Sequence, residues 1–232
     1  MDTTIAVGAS REAANTQNKR YLYVVFSSTP YKMGRFIRVM TNSRYNHVAV
    51  SFDPALGTLY SFARHYRNTP FYGGFVRETA TRYAYRGHLA DIKVCAVPVS
   101  EAQYASALRT LEDMIRLSKR YSYNMLSAIA APLHRRVHLP NAYTCIEFAV
   151  DFLERAGVLK QVDPDHAYTI KELEACLNSY QVYSGGFHGV PAQKHDSFDN
   201  KQDLITATAL TVVENAKLVD RLLKRDRTST KK

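Results

Sequence analysis

No tryptophan occurs in this sequence, cysteine occurs only at positions 95, 145 and 176, and no apolar run approaches the length of about 18 residues that a membrane-spanning helix needs. Three scattered cysteines are too few for a disulfide framework, and an odd count leaves at least one thiol free, which fits a reducing compartment. The opening residues 1–19 are polar and lack the apolar segment of a secretory signal, so the expected location is the cytoplasm. Nucleotide-binding loops are missing too: Gly73-Gly74 and Gly185-Gly186 are isolated pairs without a strand-to-helix phosphate loop. His134 and His138 share a helical spacing, but Arg135 and Arg136 lie between them and no acidic ligand is adjacent, so neither a metal nor another cofactor is expected. No basic run is interleaved with aromatics as in a nucleic-acid-binding module, which disfavours that class.

What is present is an ordinary globular composition, 46% hydrophobic and 22% charged, with sixteen tyrosines and ten phenylalanines. Lys and Arg outnumber Asp and Glu by 31 to 21, a balance of +10 that suits an acidic substrate or surface. The extreme C-terminus, with Lys224, Arg225, Arg227, Lys231 and Lys232, reads as a solvated basic tail.

Residues 1–19 read as a flexible lead-in, residues 20–190 as one domain, and residues 191–232 as a linker, an amphipathic helix and the tail. Strands are expected at residues 21–26, 47–52, 59–63 and 92–99, with a hairpin turn at residues 53–57 and a loop at residues 68–74. Helices are expected at residues 34–40, 100–119, 124–131, 142–156 and 171–177. A last helix, about residues 199–224, places Ile205, Ala209, Val212, Val213, Ala216, Val219 and Leu223 on one stripe, a face for docking on the domain or for self-association. Cys95 and Cys176 sit in apolar surroundings and read as packing residues.

Cys145 differs. It lies near the start of a helix, where unpaired amides and the positive dipole end favour a thiolate and can hold an oxyanion. A base is then required. His47 opens a strand whose same-face neighbours Ala49 and Ser51 are small, leaving room for a helix N-terminus. In the hairpin Ser61 shares that face and is the candidate to orient the imidazole, with His65 as the alternative.

The order of Asn46-His47-Val48-Ala49-Val50, the Tyr60-Ser61-Phe62 strand, Tyr121-Ser122-Tyr123 and Tyr143-Thr144-Cys145-Ile146-Glu147-Phe148 resembles the circularly permuted NlpC-type branch of the papain-like superfamily. The resemblance spans residues 21–183 and implies an α+β, permuted papain-like fold, its antiparallel sheet packed against the helix that carries the nucleophile. It further implies Cys145 as nucleophile, His47 as general base and then acid, Ser61 at the third polar position and Tyr123 beside the thiol. Ile146 stands where many relatives have serine, and Ser61 where many have a stronger polar group. The activity implied is a cysteine hydrolase acting on a peptide, amide, isopeptide or ester carbonyl, lipid acyl esters included. A non-catalytic binding or scaffold module on the same fold is the other class that fits.

Overall fold

The computed structural model describes residues 6–7, 19–29, 43–69, 71–85, 87–131, 135–160, 163, 165–188 and 197–229. The helix expected over residues 34–40 and the side chain of His134 lie outside the described residues, as do most of residues 1–19. Ala6–Val7 forms a two-residue antiparallel pair with Leu159–Lys160.

The architecture is mixed α+β. Six strands, β1 (Arg20–Ser28), β2 (His47–Ser51), β3 (Leu59–Arg64), β4 (Gly73–Glu78), β5 (Asp91–Val99) and β6 (Gln181–Gly186), form one antiparallel sheet in the order β6-β5-β1-β2-β3-β4. The described helices are α1 (Glu101–Arg116), α2 (Met125–Ala130), α3 (Cys145–Arg155), α4 (Ile170–Cys176) and α5 (Leu204–Ser229). No described helix is long and apolar enough to cross a membrane.

Alternation along the strands divides the apolar side chains between two faces. Val24, Phe26, Val48, Val50 and Phe62 pack with Phe148, Ala149 and Phe152 of α3 in the larger core. Val25, Ala49, Leu59, Ile92 and Val94 gather with Tyr83 and Phe187 on the other face. Cys95 is fully buried, as its apolar run implied, and burial pushes its thiol up to about 11. In the hairpin turn Asp53 accepts hydrogen bonds from the amides of Ala55 and Gly57, at 2.8 and 2.9 Å, which fixes the loop between β2 and β3.

Two sequence expectations change. Gly73 and Gly74, read as the end of a loop, open β4 instead. Their lack of side chains is what permits this: a Cβ on Gly73 would lie 2.5 Å from the Ala63 carbonyl oxygen, and one on Gly74 only 2.6 Å from that of Tyr121. Gly74→Ala therefore forces backbone apart, and is expected to cost about 1–3 kcal/mol, read as a fall in the urea midpoint at unchanged slope.

The second change concerns α5. It forms at Leu204–Ser229, close to its expected span, but the stripe that docks is not the one the periodicity marked. Ala207, Glu214 and Leu218 are buried, and Leu218 and Leu222 pack with Met125, Leu126, Val137, Leu139 and Ala142. The guanidinium of Arg221 donates to the carbonyls of Arg120, Pro140 and Asn141, each at 3.3 Å. Ile205, Val212, Val213, Val219 and Leu223 face solvent.

Candidate active site

The start of α3 is set by a capping box. Thr144 Oγ1 accepts from the Glu147 amide at 3.3 Å, and Glu147 Oε2 accepts from the Thr144 amide at 2.7 Å. Cys145 is thereby the first helical residue, three positions after the start expected from sequence. Ala142–Tyr143 is instead a short parallel strand against Ser122–Tyr123, which fastens the chain just ahead of the thiol. Within this first turn the amides of Cys145 and Ile146 have no intrahelical acceptor, and they point from the positive end of the helix dipole.

The body of α3 packs on the Val48 and Val50 face, and only its first turn comes near His47. His47 is the first residue of β2, with 12% of its side chain exposed. From that strand end its ring neighbours Cys145, itself 6% exposed, closely enough for the sulfur to act on its protonation.

The other partner of the ring is Glu78, the last residue of β4, which lies 2.9 Å from His47 Nε2. With Nε2 so engaged, Nδ1 is the ring nitrogen left for sulfur. Burial by itself would lower the His47 pKa, but the Glu78 charge, the hydrogen bonds to Cys145 and Glu78 and the charge on sulfur together raise it from 6.5 to about 10. Burial likewise opposes ionisation of Glu78, yet the charge and hydrogen bond of His47, the Arg82 charge and a hydrogen bond from Ser61 hold it at about 2. The pair is an imidazolium and a carboxylate across the neutral range.

Glu78 is itself held on both oxygens. Ser61 Oγ donates to Oε1 and the Tyr83 hydroxyl donates to Oε2, each at 2.5 Å. Burial, with the adjacent carboxylate, raises the Tyr83 pKa well above its usual value, so this phenol remains a donor.

Ser61 was expected to orient the imidazole directly. It shares the face of His47, as the opposition of Val50 and Tyr60 requires, but its hydroxyl meets Glu78 and acts on the ring only through that carboxylate. The alternative, His65, lies with its ring 4.8 Å from that of Tyr72, where burial and then the Arg82 charge lower its pKa to about 4. No described hydrogen bond joins His65 to His47 or Glu78. Tyr123 is near the thiol: burial first, then the charges of Cys145 and Glu147, raise its pKa and keep its hydroxyl protonated.

Sequence reasoning missed Glu78 and Tyr83. The one signal available was that Glu78 lies two positions beyond Val76, and so on its face, once the glycines are admitted to a strand. A polar cavity between α1 and α3, lined by Arg109, Asp113, Tyr121, Tyr143, Asp151 and Arg155, includes none of Cys145, His47 and Glu78.

Comparison with protein-family models, with curated proteins and with solved structures found no match to this chain.

Proposed function

We propose that this chain is a cysteine hydrolase of the peptidase and amidase class, with Cys145 as nucleophile, His47 as the acid and base, and Glu78 as the residue that positions and charges His47. The observation that carries this reading is the His47 ring, set between a helix-start thiol and a buried, ionised carboxylate. The chain order of histidine, acidic residue and cysteine, with the antiparallel sheet against α3, also suits a permuted papain-like fold of the NlpC type.

In the proposed cycle the Cys145 sulfur attacks the carbonyl carbon of an amide, isopeptide or ester while the carbonyl π bond opens to an oxyanion. The amides of Cys145 and Ile146 are placed to bind that oxygen. Collapse breaks the bond to the leaving group, which takes the proton of His47, and leaves a thioester on Cys145. Neutral His47 then accepts a proton from water as its oxygen attacks the thioester, and the acid product departs with the thiolate restored. Glu78 stays ionised throughout and stabilises the imidazolium at each end of the cycle. The surplus of basic residues suits an acidic substrate, and a reducing compartment such as the cytoplasm suits the free thiols.

A scaffold role gives no account of an imidazolium and a carboxylate buried beside a thiol, since desolvating such a pair costs more than packing apolar groups there. The test is alkylation with iodoacetamide at neutral pH, located by peptide mass mapping. Selective labelling of Cys145 over Cys95 and Cys176, whose thiols burial pushes up, is expected, together with its loss in His47→Ala. Equal labelling of the three, or none at Cys145 in the folded protein, overturns the proposal.

A further inference from the structure

The docked side of α5 leaves the opposite side exposed among the described residues, and that side carries a regular pattern. Ile205, Ala209, Val212, Ala216, Val219 and Leu223 follow one another at spacings of four, three, four, three and four residues, the a/d rhythm of a coiled coil. All six are exposed, Ile205 by 82%, Val212 by 61% and Leu223 by 55%. Leu204 and Val213 lie beside them and are exposed as well. The seam covers about 27 Å of helix at 1.5 Å per residue.

We infer that this seam pairs with the same seam of a second copy of the chain, the two α5 helices running antiparallel about a two-fold axis near Glu214. Three features select that occupant and direction. In antiparallel register Ile205 faces Leu223 of the second copy, Ala209 faces Val219 and Val212 faces Ala216, so in two of the three kinds of layer a small residue opposes a branched one. The same register runs the two helices in opposite directions, which opposes their dipoles. The pairing is isologous and closes on itself, as a two-fold dimer must.

A lipid surface suits the stripe less well. From Leu204 to Ala216 the helix has no lysine or arginine, and the seam is built of alanine, valine, isoleucine and leucine without the large aromatic residues of interfacial helices.

The full chain is expected to have twice its 26.3 kDa mass in light scattering at high micromolar concentration. Val212→Glu, on an exposed position, is expected to return it to single-chain mass with an unchanged circular dichroism spectrum. Direction is tested in a Cys145→Ser background under mild oxidation: Ala209→Cys combined with Val219→Cys should form a covalent dimer, and Ala209→Cys alone should not. A single-chain mass for the unmodified protein overturns the inference, as does efficient self-linking by Ala209→Cys. Sedimentation with anionic phospholipid vesicles, lost in Val212→Glu while the chain in solution remains a monomer, assigns the seam to lipid and overturns it equally.

Discussion

Replacing Glu78 by alanine is expected to destabilise the protein by about 3–5 kcal/mol, because it removes one partner of a buried charged pair and leaves the other without compensation. The side chain is 2% exposed, and its loss strands the His47 ring, the Ser61 hydroxyl and the Tyr83 hydroxyl without their carboxylate acceptor in a largely buried site. Glu78→Gln separates charge from packing. It keeps the volume and part of the hydrogen bonding but removes the attraction that raises the His47 pKa, so burial then dominates and the imidazole titrates well below its wild-type value. Urea unfolding measures the first effect, and the histidine NMR titration the second. An unshifted His47 titration in Glu78→Gln would show that the carboxylate does not charge the ring.

If the proposed cycle holds, replacing His47 by alanine slows acyl transfer to Cys145 about 10²–10⁴-fold, the contribution of a positioned acid and base. The same pair makes stability depend on pH in two directions. His47 binds its proton more tightly folded than unfolded, so its contribution is complete below about pH 6.5 and is lost as pH rises through about 10. Glu78 holds its proton less tightly folded, so its contribution is complete above about pH 4.5 and is lost as pH falls through about 2. These are one interaction seen from its two partners. The stability difference between wild type and His47→Ala should be largest between about pH 4.5 and 6.5 and shrink on either side. Unfolding midpoints measured from below pH 4.5, through this window, to well above pH 6.5 check it, and a difference that does not vary over the whole span removes the charged pair from the account.

Much of the site could be read from sequence because its signals are local. Cys145 falls within the first turn of a helix expected from residue 142, though sequence reasoning missed the Thr144 and Glu147 capping box that moves its start to Cys145, and His47 opens a run of alternating residues in a recognisable hairpin. Glu78 carries no such signal. It ends a strand that two glycines disguise, and it reaches His47 from across β3, a relation that depends on sheet order rather than on neighbouring residues. Ser61 could be assigned to the correct face but not to its partner, since alternation fixes the direction of a side chain and not which of two neighbouring strands supplies the group it meets. Periodicity likewise found the aliphatic stripe of α5. The side that docks is set by Leu218 and Leu222 with Arg221, and three polar contacts to carbonyls outweigh a cleaner apolar pattern.

Those three contacts bear on how the protein can be dissected. The carbonyls that Arg221 engages belong to Arg120, Pro140 and Asn141, just upstream of the paired segments Ser122–Tyr123 and Ala142–Tyr143, the second of which leads to Cys145. The last helix is thus a clamp across both rails on which Cys145 is delivered. A fragment ending near residue 190 would keep Cys145, His47 and Glu78 and lose this fastening, so the smallest unit worth expressing runs through Arg225, whose guanidinium closes the same grip on the His138 carbonyl.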